Sequence, residues 1–305
     1  MTKPEAIGKI LNQTEIGREL QREKNRQKKQ LVGVVKKKRQ IAPVEQNVME
    51  FSSVFATTPE DRKRGWLKIG LKNGKYAEIR AVIPQDRKQP DLIQEGDLDI
   101  LLVCFLLAKH RKNYTFEASS YQILGELGEK TTTGGNQYKR VRGALSRLKS
   151  NLITTNWWWD TLKKERIIRS QFNFLDKVDE GEERTFRISL NKGMMESIER
   201  GYRKNIKLEK VFRLRGYGKL LCLYLMKRIG IKKEFEHNLD TILKLLGLES
   251  KWKKLPNFRL NFYVERTIIP AMKRASETIG FHCEYKKEEK KFYLHKPLSI
   301  AHKQK

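Results

Sequence analysis

Residues 134–160 read GGNQYKRVRGALSRLKSNLITTNWWWD, a short basic helix running directly into a strand and a turn. Between Gly135 and Lys149 stand five cations, Lys139, Arg140, Arg142, Arg147 and Lys149, and no acid. Val141, Ala144, Leu145 and Leu148 recur at helical spacing and predict one apolar stripe. With Val141 turned inward, Asn136, Lys139, Gly143, Ser146 and Arg147 take the far side. That face combines cations for phosphates and bases, short polar side chains and a glycine permitting close approach. This is the chemistry of a helix that reads DNA. Taken alone, the pattern also describes a solvated helix on an ordinary core, so the flanking chain has to decide.

The whole chain leans the same way. Its 305 residues carry a formal net charge of +29 at pH 7. Self-repulsion of that size points to a polyanionic partner, nucleic acid first and an anionic membrane surface second. The longest apolar run, residues 100–108, is far too short to span a bilayer. The polar N-terminus lacks the apolar segment of a signal peptide, so a cytoplasmic, nucleoid- or plasmid-associated location without membrane partners is expected. Cys104, Cys222 and Cys283 sit in apolar or strand-like segments without a partner at metal-site spacing and read as buried, inert thiols.

Upstream, residues 1–50 read as an appended arm. From Arg22 to Arg39 nine Lys or Arg residues face one acid, Glu23, a composition that stays solvated until it meets a polyanion. Residues 66–84 alternate apolar and polar around Asn73-Gly74 and predict a β-hairpin with a two-residue turn. The string GLKNGK inside it resembles a phosphate loop, but three residues separate its glycines where four are needed, and Tyr76 replaces the hydroxyl residue. Residues 97–112 form an apolar core helix. A strand-like YTFEA precedes a second helix at 119–128 capped by Ser119 or Ser120.

Helix, strand, helix, turn, basic helix, hairpin is the order of a winged helix-turn-helix. The expected wing strands are residues 153–159 and 166–174, with Lys163, Lys164 and Arg166 near the tip. A third strand is expected at 184–190, and a bridging helix at 191–203.

The pattern then starts again. LLVCFLLAK from Leu101 faces LLCLYLMKR from Leu220, and ILGELG from Ile123 faces ILKLLG from Ile242, both at a shift of 119 residues. Two helices in register without a gap indicate an internal duplication. At the corresponding reading position lies FRLNFYVERTIIPAMKRASETI, residues 258–279, with Val264, Ile268, Ala271 and Ala275 inward. Arg259, Arg266 and Lys273 lie on the opposite face, and Arg274 beside Lys273 joins the DNA-contacting candidates. Pro270 is expected to kink this helix or cost stability. FHCEY and KFYLH, joined by KKEEK, predict a second hairpin.

No constellation for catalysis emerges. His110, His237, His282, His295 and His302 are scattered, and no intact Walker motif, zinc cluster or nucleophile elbow is present. Asp97 and Asp99 are the one carboxylate pair open to a metal-dependent nuclease or relaxase reading. Placed just before an apolar helix, they read better as capping charges. Stacking of the tryptophans at 157–159 on bases is a further possibility, although alternation turns Trp158 away from its neighbours. No cofactor and no metal are expected.

At these residues the chain resembles the plasmid replication initiators of the replication initiator protein A family. The resemblance is carried by GGNQYKRVRGALSRL and ITTNWWWD, by VFRL at 211–214, and by LCLYLMKR after it. RTIIPAMKRASE, with its Pro270-Ala271 pair, is similar to the second winged helix of iteron-binding initiators. The match covers residues 66–297; the basic arm and residues 84–95 depart from the family pattern.

The resemblance implies paired winged helices on direct repeats of double-stranded DNA at an origin, opening of adjacent DNA for a host helicase or initiator, and a homodimeric form. It implies DNA-reading roles for Lys139, Arg142, Ser146 and Arg147, and for Arg266 and Lys273. Asn136, Arg140, Lys163, Lys164, Arg166, Arg259 and Arg274 are added from the residues themselves.

The expected fold is α+β: a basic, flexible arm at 1–50, a first winged helix-turn-helix domain with its β-hairpin wing at 51–190, a bridge at 191–210, and a second such domain at 211–305. A winged-helix transcriptional regulator shares every one of these features and is the alternative function.

Overall fold

The alternating and helical apolar patterns of the sequence meet in one continuous core in the computed structural model. It describes residues 40–297 apart from 51, 56–57, 71–73, 83–90, 130–134, 157, 168, 230–233 and 250–255. The expected basic arm up to residue 39, Asn73 and Trp157 lie outside the described residues. No described helix is long and apolar enough to cross a membrane.

The described chain opens with β1 (Ile41–Glu45) and α1 (Gln46–Glu50), followed by α2 (Pro59–Arg64) and the hairpin β2 (Trp66–Gly70) and β3 (Tyr76–Ala81). This corrects the expected arm: Ala42, Val44, Val48 and Met49 are wholly buried. The physical reason is a distant partner. β1 pairs antiparallel with β11 (Arg203–Lys207), Ile41 opposite Lys207, so the bridge at 191–210 carries the strand that holds residues 41–45. The β2–β3 ladder pairs Trp66 with Arg80 and Gly70 with Tyr76, and the expected turn at Asn73-Gly74 falls in part outside the described residues.

The first repeated unit follows: α3 (Glu95–Arg111), β4 (Thr115–Ser119), α4 (Ser120–Glu126) and α5 (Gly135–Ser150). Ser119 caps α4 by accepting from the Gln122 N–H at 3.1 Å. The chain then makes β5 (Asn151–Thr155), β6 (Trp158–Asp160), β7 (Glu165–Ile167), β8 (Ser170–Phe172), β9 (Leu175–Glu180) and β10 (Thr185–Leu190).

Here the expected wing is corrected. β5 adds to the β2–β3 hairpin and takes β8 on its other side, while β6 and β7 form a separate small hairpin. The strands that complete the unit are β9 and β10, in a sheet of order β4–β10–β9. Alternation shows that residues 151–155 are a strand, but it cannot name the partner; burying Ile153 opposite Ile79 and Phe172 decides that.

After α6 (Lys192–Glu199), β11 and α7 (Leu208–Phe212) come α8 (Tyr217–Ile229), β12 (Glu234–Asn238) and α9 (Leu239–Leu245). The described chain ends with α10 (Asn257–Tyr263), α11 (Ile269–Thr278), β13 (His282–Lys286) and β14 (Lys291–His295). The sheet order β12–β14–β13 repeats that of the first unit. β4 and β12, and likewise α4 and α9, keep the 119-residue shift read from the sequence.

Between α10 and α11 lies a π-helical turn, Val264–Ile268. Ile269 donates to the Val264 carbonyl, and this wider turn lets the helix continue across Pro270, which has no N–H to give.

The two units are not separate beads. Ser52 Oγ donates to the Leu220 carbonyl at 3.2 Å, and Lys219 Nζ reaches Asp99 at 2.7 Å. Buried Glu50 takes both Lys227 and Arg228.

Candidate nucleic-acid interface

Two helices, α5 and the α10–α11 pair, occupy the same position in the two units. In α5 the apolar stripe Val141, Ala144, Leu145 and Leu148 is buried, as the spacing predicts. The opposite face exposes Asn136, Lys139, Arg140, Arg142 and Ser146. Arg140 is held by Glu129 at 2.7 Å and Arg142 by Glu180 at 2.8 Å. Exposed pairs of this kind contribute roughly 0–1 kcal/mol each, so a phosphate can displace the carboxylates at small cost.

Arg147 is different. Its guanidinium donates to both oxygens of Asp97 at 2.7 Å and contacts Asp91 at 3.3 Å. Its side chain is 13% exposed and that of Asp97 3%. Burial works against its charge, but the hydrogen bonds and charges of Asp97 and Asp91 outweigh this and raise its pKa. The expectation that Arg147 reads DNA is therefore corrected: its donors tie α5 to the start of α3. Gly143 serves the same clamp, because a side-chain carbon there would come within 3.3 Å of the guanidinium. The helical wheel placed both residues outward, but a long arginine can fold back over a glycine.

The carboxylates considered for metal chemistry are also engaged. Asp97 caps α3, accepting from the Gln94 N–H at 2.9 Å, besides holding Arg147. Asp99 pairs with Lys219, although burial raises its pKa against that attraction. Among the described residues no group of three or more His, Cys, Asp or Glu side chains is placed to hold a metal ion. The three cysteines are buried, with burial pushing their thiols up to about 12 for Cys104 and Cys222 and about 11 for Cys283.

The TTN segment and Trp158 have structural work. Thr155 Oγ1 donates to the Tyr76 carbonyl at 2.7 Å. Asn156 accepts from the Tyr76 N–H and donates to the Gly74 carbonyl, at 2.8 and 3.1 Å, closing the β2–β3 connection. Trp158 packs on Phe172 at 4.5 Å between ring centres.

The hairpins divide by charge. The β9–β10 turn beside α5 is acidic, with Glu180, Glu182 and Glu183 exposed. Lys163, Lys164 and Arg166 are exposed on the separate β6–β7 hairpin, away from the position expected for a wing. In the second unit Lys286, Lys287 and Lys290 are exposed at the β13–β14 turn together with Glu288 and Glu289, a mixed tip with one more cation than acid that was left out of the sequence-based set.

On α10 and α11, Arg259, Arg266, Lys273 and Arg274 are all exposed, while Val264, Ile268, Ala271 and Ala275 are buried. The sequence reading also missed Phe258 and Phe262, which are 69% and 61% exposed. The signal was present: both are out of phase with the inward stripe.

Comparison with known proteins agrees with this layout. Crystal structures of domains 2 and 3 of RctB share the fold. One selenomethionine form has a TM-score of 0.54 and 14% identity, covering 82% of this chain and 96% of that one. A second has a TM-score of 0.51 and 13% identity, covering 81% and 97%. No curated protein sequence matches the chain. The family model for replication initiator protein A matches residues 81–270. That span takes in α5, the repeated α8–α9 unit and the α10–α11 helix as far as Pro270. The chain belongs to the replication initiator protein A family.

Proposed function

We propose that this chain is a non-enzymatic, sequence-specific double-stranded DNA-binding initiator, built from two winged helices that engage repeats at a plasmid origin and promote its opening. The first winged helix comprises α3 to α5 with the β4–β10–β9 sheet, and the second α8 to α11 with the β12–β14–β13 sheet. The observation that carries the reading is the pairing of two exposed cationic helix faces at equivalent positions of a duplicated unit. Such a helix enters a major groove, where cations position on phosphate and polar side chains read base edges.

In this reading α5 presents Asn136, Lys139, Arg142 and Ser146 to one groove, and α10–α11 presents Arg259, Arg266 and Lys273 to the next. The β6–β7 and β13–β14 tips neutralise flanking phosphates, and so do the cations before residue 40. Binding several repeats bends the origin and prepares adjacent DNA for a host helicase or initiator; a homodimeric form represses the chain's own promoter.

Footprinting with the full chain on DNA flanking its gene tests this. Protection of several direct repeats spaced by roughly two helical turns is the expected result. A single protected inverted repeat at a promoter would turn the reading to a transcriptional regulator. Metal-dependent nicking of supercoiled DNA that is lost in Asp99→Ala would overturn the non-enzymatic assignment.

A further inference from the structure

The two reading helices are not chemically equivalent. The exposed face of α5 is polar and cationic, whereas the first turns of the second helix display Phe258 and Phe262, one helical turn apart, 69% and 61% exposed. These rings belong to no core. The buried stripe of this helix runs through Val264, Ile268, Ala271 and Ala275, and α11 packs on α8 and β13.

Each ring instead carries a cation. The Arg259 guanidinium lies 5.7 Å from the centre of Phe258, and that of Arg266 lies 5.5 Å from Phe262. Glu265, the one acid between Asn257 and Ser276, is taken by Lys287 at 3.1 Å. A surface of aromatic rings edged by guanidinium groups suits a polyanion that also offers an apolar feature. In the major groove that feature is the thymine 5-methyl group, which contacts rings such as phenylalanine. The position agrees, because reading helices contact base edges with their N-terminal residues.

We infer that Phe258 and Phe262 are specificity-determining residues of the second reading helix, recognising thymine methyl groups while Arg259 and Arg266 bond neighbouring phosphates or guanine edges. The inference rests on the proposed function and deepens it: the two halves of the chain read different sequences, and the half read by α10 is thymine-dependent. The π turn and Pro270 hold α10 in a fixed direction relative to the packed α11, and Tyr263 Oη meets Tyr217 Oη of α8 at 3.4 Å.

The test uses the full chain and a duplex that it selects from random-sequence DNA. Replacing thymine by deoxyuridine removes only the methyl groups. The wild-type chain should lose roughly fourfold in affinity per contacted methyl, the equivalent of about 0.8 kcal/mol per buried carbon. A chain carrying Phe258→Ala and Phe262→Ala should keep its circular dichroism spectrum, since both rings are exposed, and bind thymine and deoxyuridine duplexes alike. Lys139→Ala should weaken binding to both duplexes while the ratio between them stays that of the wild type.

A chain that selects no duplex at all overturns the proposed function and this inference with it. A chain that selects a duplex yet is indifferent to the methyl groups overturns this inference alone. So does a double alanine variant that keeps the thymine preference, or one that loses only self-association, which would make the rings a contact between protein copies.

Discussion

Arg147 and Lys139 lie on the same helix and do different work. Arg147 closes a partly buried, bidentate ion pair with Asp97, so Arg147→Ala leaves a carboxylate that is 3% exposed without its cation. Breaking such a pair from one side costs about 3–5 kcal/mol. A urea titration of Arg147→Ala should show its midpoint falling accordingly, while the folded fraction still binds DNA; an unchanged midpoint would show that the pair holds nothing. Lys139→Ala or Arg142→Ala should leave the midpoint in place and weaken DNA binding. The lesson for reading sequences is physical: a helical wheel gives the direction of a Cβ, and an arginine side chain long enough to fold back along its helix is not bound by it.

Among the elements, β1 shows what a distant strand costs to recognise and what it holds. Glu45, wholly buried, accepts from Asn47 Nδ2, the Val48 N–H and Ser197 Oγ at 2.9–3.0 Å. Burial, opposed by these bonds and by the charge of Lys227, raises its pKa from 4.5 to about 7. The folded state therefore holds this proton more tightly than the unfolded chain does. Its contribution to stability is full below about pH 4.5 and is lost as pH rises through 7. Wild type should lose stability relative to Glu45→Gln across that window, by on the order of 3 kcal/mol, in denaturant midpoints measured from pH 4.5 to 8. Parallel curves for the two proteins would contradict the assignment.

The β6–β7 hairpin makes the complementary prediction. Replacing Lys163, Lys164 and Arg166 together by alanine should reduce the salt slope of DNA binding by about two to three counterions and leave sequence preference intact. An unaltered slope would remove this hairpin from the interface.

At the scale of the whole molecule, the halves share a core, and their joint is specific. Gly247 sits at φ +69°, where an added side-chain carbon would come within 3.3 Å of Ile69. Gly247→Ala should therefore destabilise the protein by about 1–2 kcal/mol, read as a lower thermal midpoint. Truncation separates fold from electrostatics. Gln40 hydrogen-bonds Glu126 and receives the Leu208 N–H, which ties the first described residue to both halves of the chain. Deleting residues 1–39 removes nine of the cations counted from Arg22 onward and should flatten the salt dependence by several counterions in a chain that still folds. Deleting through Glu45 takes β11's partner away and should abolish cooperative unfolding. Equal behaviour of the two truncations would refute the role given to β1.

The amino-acid sequence alone carried the apolar stripe of α5, the duplication at a shift of 119, a serine cap at 119 or 120 and the hairpin at 282–295. Each is a local or periodic signal, set by residues within a few turns of one another. Only the tertiary structure decided the partners: β1 with β11, β5 with the β2–β3 hairpin, Arg147 with Asp97, and the exposure of Phe258 and Phe262. Pairing and burial depend on which distant surfaces meet. The opening helix thus remains cationic and amphipathic, as its residues dictate, but one of its arginines is partly buried in an ion pair because a carboxylate from α3 is folded beneath it.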